Sequence, residues 1–188
     1  MMNPAQNPRL PLSAAEEAID DMLADAFSLV NMETYSFDKP GLEGLLEGLL
    51  GVVDKRLGAP DEQERFSGGE YGDIVVRTYR GTTPGRVVIT GHYDTVWPAG
   101  TVAAWNPPPH EDPRERLSGP GLFDMKIGLT QGIWRLNCFV ERASPTQTSP
   151  IFSTATRKSA RLPPNTSLRM SLAARMPHSF WKPAWTAT

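Results

Sequence analysis

The sequence has little cysteine and no long apolar run. Its 188 residues include one cysteine, Cys138, so no disulfide can form within the chain, as is usual in a reducing compartment. No stretch approaches the roughly 20 apolar residues of a membrane-spanning helix, and the N-terminus lacks the pattern of a signal peptide. A formal net charge of -2 gives no reason to expect nucleic acid or an anionic membrane as a partner. We therefore expect a cytoplasmic globular protein.

Acidic side chains are nearly absent from the last quarter of the chain. Residues 1–137 hold 20 acidic and 12 basic side chains, whereas residues 138–188 hold 1 acidic and 7 basic ones, which sum to the net charge of -2. Ser or Thr occupies 14 of the last 51 positions. This change predicts a folded part over 1–137 and a poorly ordered tail over 138–188, because the tail shows neither a helical nor a strand period.

The first part alternates helix and strand patterns, which is typical of an α/β fold. Ser13 and Glu16 form a capping box at the start of the first helix. Apolar residues recur at helical spacing in three segments, and two short β-branched runs flank the turn sequence GTTPG. The predicted elements are helices from Ser13 to Met32, 42–57 and 126–137, strands over 73–79 and 86–90, and a Pro-rich loop over 97–117.

A histidine and an aspartate follow the second predicted strand, where α/β proteins usually place their chemistry. His92 and Asp94 are two residues apart, so they project to the same side of an extended chain. Neutral imidazole is a good zinc ligand, and a carboxylate can hold its second ring nitrogen. Backbone groups could equally satisfy both side chains, and for an isolated H-x-D pair we favour that interpretation.

A second polar position lies in the segment GPGLFDMK, residues 119–126. Two glycines and a proline predict a tight turn, and Asp124 follows at the start of the predicted helix. The helix dipole and free N–H groups favour a negative charge there. Taken alone, Asp124 is more simply a helix N-cap than a metal ligand.

Together, GHYDTVWPAGT and GPGLFDMK resemble the M20 family of zinc peptidases and amidohydrolases. The family pattern is H-x-D-T-V followed some tens of residues later by G-x-x-D-x-K-G-G, and here His92 and Asp124 are 32 residues apart. The similarity covers about 13–137, including the SFDKPG loop. Ile127 stands where the family usually has the first of two glycines, and we expect this to change packing without removing the site.

The resemblance implies a truncated three-layer α/β/α zinc-peptidase (phosphorylase/hydrolase-like) catalytic domain, followed by a disordered tail. It implies that His92 binds one zinc ion of a pair, that Asp94 orients His92 in the catalytic site, and that Asp124 bridges both ions. The implied reaction is hydrolysis of a terminal amide bond in a small peptide or N-acyl amino acid. The first motif is most similar to glutamate carboxypeptidases, while acetylornithine or succinyl-diaminopimelate deacylases stay open, as does the oligomeric state.

The D-E-E-x-G-S motif, which supplies the family's general base and a further metal ligand, does not occur in this sequence. Read one base upstream, however, the codons of Thr154–Arg161 permit the string NSDEEIGS. We therefore interpret 138–188 as an out-of-frame tail and expect this chain to be inactive. A genuine Ser/Thr/Pro-rich tail is the alternative, and the second functional hypothesis is a non-catalytic fragment or binding remnant of such an enzyme.

Overall fold

The order of helices and strands follows the predicted α/β pattern. The structure, a computed structural model, describes residues 16–81, 83–106, 117–142 and 148–155, and side chains over 16–81, 87–106 and 117–137. A π-type turn, Leu122–Lys126, leads directly into the last helix. The elements are α1 Ile19–Val30, α2 Lys39–Leu57, β1 Glu62–Phe66, β2 Ile74–Thr78, β3 Thr83–His92, α3 Thr101–Ala104, α4 Ile127–Arg142 and β4 Thr148–Ala155.

The two N-terminal helices agree with the periodic apolar positions. The inward residues predicted for α2, Leu45, Leu46, Leu49, Leu50 and Val53, are all buried, and Gly58 with a φ of 75° follows its last residue. In α1 the predicted apolar face is buried only towards its C-terminal end, since Ile19 is 50% exposed. The predicted cap Ser13 lies outside the described residues.

Four strands form one mixed sheet in the order β1-β2-β4-β3. β2 pairs antiparallel with β1 and with β4, and β3 pairs parallel with β4. The strands predicted over 73–79 and 86–90 are confirmed as β2 and β3. Strand β1 was not predicted, because its residues EQERF lack the β-branched and aromatic enrichment typical of strands.

The core lies between one face of this sheet and a layer of three helices, α1, α2 and α4. Val75 of β2 belongs to the main cluster of buried apolar side chains, and Ile89 of β3 packs against it. Leu129 and Ile133 of α4 complete this cluster with the leucines of α2. The end of β3 is thereby held beside the start of α4, which brings the two sequence motifs close together.

The first residues of the predicted tail belong to two elements. Helix α4 continues through residue 137 to Arg142, and β4 lies between β2 and β3. Strand pairing uses backbone groups, which need no side-chain period, so a segment without such a period can enter a sheet. The poor order predicted for the tail as a whole stays a prediction. Residues 156–188 lie outside the described residues, and the domain boundary at 137 stays a prediction.

β4 contains a proline near its start. Pro150 pairs with Val87 across the parallel ladder, and proline has no N–H to donate. The pairing of β4 with β2 begins only at Ile151, so Pro150 has a paired strand on the β3 side alone. This agrees with the usual restriction of proline to positions where one side of the strand is unpaired.

Candidate metal centre

His92 is the last residue of β3 and lies between two aspartates. Its Nδ1 atom is 3.2 Å from the carbonyl oxygen of Asp94 and 3.4 Å from the carboxylate Oδ1 of the same residue. Its Nε2 atom is 3.0 Å from Oδ1 of Asp124. The structure therefore brings all three predicted site residues together, with His92 in the middle.

Asp94 is buried and is held from the loop that follows α1. The hydroxyl of Ser36 donates a hydrogen bond to Asp94 Oδ2 at 2.6 Å, and Asp94 itself is only 1% exposed. Backbone hydrogen bonds between 34–36 and Thr95 align the two segments. One carboxylate oxygen thus accepts from Ser36 while the other faces the His92 ring.

Asp124 reaches the site from the turn Leu122–Lys126. Its φ of -128° and ψ of 91° are not helical, and α4 begins three residues later at Ile127. The residue directly before α4 is Lys126, so the interpretation of Asp124 as the N-cap of this helix is wrong. Its side chain is 58% exposed, so the carboxylate is open to solvent on the side away from His92.

Gly121 permits the close approach of this turn to the His92 segment. Its φ of 72° lies in the left-handed region, which favours glycine. A Cβ atom there would lie 2.2 Å from Cγ2 of Thr95. Any larger residue would push the Asp124 turn away from the end of β3, so this glycine is required by the packing of the site.

Lys126 anchors the other end of the turn. Its ammonium group is buried and donates to the carbonyl oxygens of Leu29 at 2.9 Å and Met32 at 2.7 Å. Burial lowers the pKa of Lys126 to about 8, while the charge of Glu33 acts in the opposite direction. The turn carrying Asp124 is in this way tied to the C-terminal end of α1.

The arrangement around His92 leaves a place where a cation could be held between His92 and Asp124. Both ring nitrogens face oxygen atoms, but a neutral imidazole has only one N–H to donate. The second nitrogen would then present its lone pair to an acceptor. A cation held by Nε2 and Asp124 removes this conflict, and ligands of a tetrahedral zinc ion lie about 3.3 Å apart, close to the 3.0 Å observed.

His92 and Asp124 would by themselves be too few ligands for a zinc ion. A structural zinc ion normally has four ligands, and within the described ranges no group of three or more His, Cys, Asp or Glu side chains could hold a metal ion. His92 and Asp124 fit two of the positions.

A cavity of about 370 Å³ opens beside Asp124. Trp97 and Trp105 line it and meet edge to face, with ring centroids 5.1 Å apart. Phe123, the neighbour of Asp124, also lines it and is 92% exposed. The open side of Asp124 therefore faces a space to which three aromatic side chains contribute.

Comparisons with known proteins identify the fold. No family model matches the sequence, and no curated protein matches it significantly. Similar solved structures include human carnosine dipeptidase 1, at a TM-score of 0.67 and 19% identity over 87% of this chain and 37% of that one. An M20 family metallo-carboxypeptidase from Sulfolobus solfataricus has a TM-score of 0.60 and 16% identity over 72% of this chain and 30% of that one. The chain has the M20-type peptidase fold.

A third similar structure is the di-peptidase Dug1p from Saccharomyces cerevisiae, at a TM-score of 0.61 and 15% identity over 75% of this chain and 33% of that one. The predicted α/β class and the M20-type peptidase fold are confirmed. The chain spans about a third of the length of these M20-type structures. No helix of the described part is long and apolar enough to cross a membrane.

Two residues of the site were not foreseen as contributors. Ser36 lies 58 residues from Asp94 along the chain, and nothing in the SFDKPG loop singles out its hydroxyl. Lys126 belongs to the second motif, but its partners Leu29 and Met32 are backbone carbonyls that no sequence pattern reports. Only the tertiary path of the chain brings these groups to the site.

Proposed function

We propose that this chain carries the first half of the centre of a metal-dependent amide hydrolase. His92 and Asp124 would be metal ligands, and Asp94 would orient the His92 ring. The convergence of His92 Nε2 and Asp124 Oδ1 to 3.0 Å from two separate segments is the observation that carries the proposal. The fold shared with M20-type peptidases supports it.

Zinc suits a site of imidazole and carboxylate donors. When bound, zinc would polarise the scissile carbonyl and lower the pKa of a bound water. The residues of this chain prepare the site for it. Asp94 and its carbonyl hold Nδ1, so Nε2 is directed towards Asp124, whose exposed side meets the cavity. The substrate would be a small peptide or N-acyl amino acid, cleaved at a terminal amide bond.

We also propose that this chain alone does not catalyse the reaction. Attack of water on an amide needs a base to accept its proton, and the sequence lacks the D-E-E motif that would supply one. Glu33 is not a substitute, because hydrogen bonds from the backbone N–H groups of Gly100 and Val102 lower its pKa. A non-catalytic fragment is the second candidate, and the partial donor set favours it. The cytoplasmic location of this protein and its lack of nucleic-acid or membrane partners stay predictions.

The first prediction concerns zinc binding by the 188-residue chain. We expect a dissociation constant weaker than about 1 μM, because two ligands leave much of the coordination shell to water. His92→Ala and Asp124→Asn should each abolish the binding, whereas Asp20→Asn, an exposed position on α1, should not change it. Isothermal titration with zinc measures this. Sub-micromolar affinity, or binding indifferent to His92 and Asp124, would contradict the proposed site.

The second prediction concerns activity. The chain as it stands should not hydrolyse N-acyl amino acids or peptides ending in glutamate, with zinc or cobalt present. A single-base correction of the gene near codon 137, which restores the string NSDEEIGS, should produce chelator-sensitive hydrolysis. Both forms are expressed and assayed side by side. Chelator-sensitive turnover by the uncorrected chain rules out its proposed inactivity. A corrected form without turnover would mean a decayed gene or the wrong substrates and would leave the fold assignment standing.

A further inference from the structure

The hydroxyl of Ser36 lies between two acceptors and has one proton to donate. Asp94 Oδ2 is 2.6 Å away and the carbonyl oxygen of Thr95 is 2.9 Å away. A carboxylate is the stronger acceptor and forms the shorter bond, so the proton belongs to the Asp94 contact. Ser36 is 7% exposed and Asp94 1%, so water does not compete freely for this hydrogen bond.

The backbone around Ser36 holds its side chain in this place. Ser36 N donates to Thr95 O at 3.0 Å, and Thr95 N donates to Thr34 O at 2.7 Å. These two bonds form an isolated parallel bridge between Tyr35 and Thr95. The register of the two segments is thus set by the backbone, and the Ser36 hydroxyl meets the Asp94 carboxylate as a consequence.

The end of α1 and the start of the loop after it also contact the opposite side of the site. Lys126, which closes the Asp124 turn, donates to the carbonyl oxygens of Leu29 and Met32, a few residues before Ser36. The segment 29–36 therefore contacts the chain on either side of the His92–Asp124 pair. This makes its contact with Asp94 a feature of the site and not of the outer surface.

We propose that Ser36 is a positioning residue for the metal centre, acting on His92 through Asp94. With Oδ2 held by Ser36, the Asp94 carboxylate cannot rotate freely, and Oδ1 stays 3.4 Å from Nδ1 of His92. The ring keeps Nε2 directed at Asp124. This inference rests on the proposed function for its metal, but the effect of Ser36 on the ring exists without metal.

The test compares three variants of the 188-residue chain. Ser36→Ala removes the hydroxyl, and Ser36→Thr retains it. Ser28→Ala is the matched control, since Ser28 on α1 donates to the carbonyl oxygen of Asp25 at 2.7 Å, remote from His92. Two quantities are measured: the ring ¹⁵N resonances of His92 without metal, by long-range ¹H–¹⁵N correlation, and the dissociation constant for zinc.

In Ser36→Ala the ring ¹⁵N chemical shifts of His92 should move towards the average for a ring that samples several orientations. Zinc binding should weaken by about 10-fold, the lower end of the losses seen when a residue that orients a metal ligand is removed. Ser36→Thr and Ser28→Ala should resemble the unaltered chain in both readouts. Circular dichroism checks folding. If Ser36→Ala unfolds, Ser36→Cys replaces it, because a thiol has a similar shape and is a weak donor.

The outcomes separate this inference from the proposed function. If the unaltered chain binds no zinc, the proposed metal site fails, and the metal-free His92 spectrum alone decides the role of Ser36. If the unaltered chain binds zinc and Ser36→Ala matches it in both readouts, the positioning role is overturned while the metal site stands. Equal losses in Ser36→Ala and Ser28→Ala would also overturn it, since they indicate a general effect of removing a hydroxyl.

Discussion

A buried lysine beside the proposed ligands shows how one residue joins stability to the site. Lys126 is 1% exposed, and its ammonium group is held by two carbonyl oxygens at the end of α1. A positive charge is favoured near the C-terminus of a helix, but removing it from water is costly. Burial lowers the pKa of Lys126 to about 8, although the charge of Glu33 acts in the opposite direction.

This residue predicts a pH dependence of stability. Between the native pKa of about 8 and the ordinary value of 10.5, the unfolded chain binds more protons than the native chain, so stability rises with pH. The expected gain between pH 7 and 9.5 is about 2 kcal/mol. Urea unfolding at both values, compared with Lys126→Met, measures it.

Lys126→Met serves as the control for the other titrating groups, because it lacks only the Lys126 ammonium. Burial, with smaller contributions from nearby carboxylates, raises the pKa of Tyr93, and this group is present in both chains. Lys126→Met should lack the rise attributed to Lys126, whatever its absolute stability. The same gain in both chains would show that the Lys126 ammonium is not the group responsible.

Helices α1, α2 and α4 contact one another through polar as well as apolar groups. Asp25 of α1 accepts hydrogen bonds from Arg56 of α2 at 2.7 Å and from Trp134 of α4 at 3.0 Å. Burial by itself would raise the pKa of Asp25, but these hydrogen bonds and the Arg56 charge lower it. One carboxylate therefore aligns all three long helices behind the sheet.

Two glycines differ in the space that surrounds them, Gly51 in α2 and Gly91 in β3. Gly51 lies in the exposed interior of α2, and a Cβ there meets nothing within 4 Å. Gly91 lies in β3, and a Cβ there would be 2.4 Å from Leu129 Cδ2 of α4. The first glycine only weakens its helix, whereas the second permits β3 and α4 to approach.

We therefore expect opposite effects of the same substitution. Gly51→Ala should stabilise the chain by up to about 1 kcal/mol, the difference in helix propensity. Gly91→Ala should destabilise it by about 1–3 kcal/mol through overpacking. Urea unfolding of both variants measures the free energies. If Gly91→Ala is as stable as the unaltered chain, Leu129 has room to move and the close approach is not required.

On the scale of the whole molecule, β4 decides whether the sheet is continuous. It pairs with β2 over Ile151–Thr154 and with β3 over 148–155, and β2 and β3 are not adjacent in the sheet. Without β4, the backbone groups of β2 and β3 that face it would lose their hydrogen-bond partners. Each buried group left without a partner costs free energy. The segment predicted as tail thus supports the folded part.

Shortening the chain tests this dependence. A chain ending at residue 142 lacks β4, and a chain ending at residue 158 retains it. The shorter chain should lose cooperative unfolding in urea and amide protection in β2 and β3, while the longer one should keep both. Hydrogen exchange measures the protection. Equal protection in the two chains would show that β4 is dispensable and would support a folded unit ending near 137.

The sequence by itself determined the order of most elements and the three candidate site residues. Helices α1, α2 and α4 follow from apolar periodicity, because burial of one face requires regular spacing between neighbours along the chain. Strands β2 and β3 follow from short β-branched runs on either side of a turn sequence. His92, Asp94 and Asp124 were named from two short motifs, and their roles stay proposals.

Only the tertiary structure decided which groups meet. Asp94 is held by Ser36, which precedes it by 58 residues, and Lys126 is held by carbonyl groups more than 90 residues before it. Asp124 proved to lie in a non-helical turn, and β4 took a central place without a side-chain pattern. Hydrogen bonds to backbone groups leave no periodic trace in a sequence, because every residue carries the same carbonyl. They are therefore decided by the path of the chain.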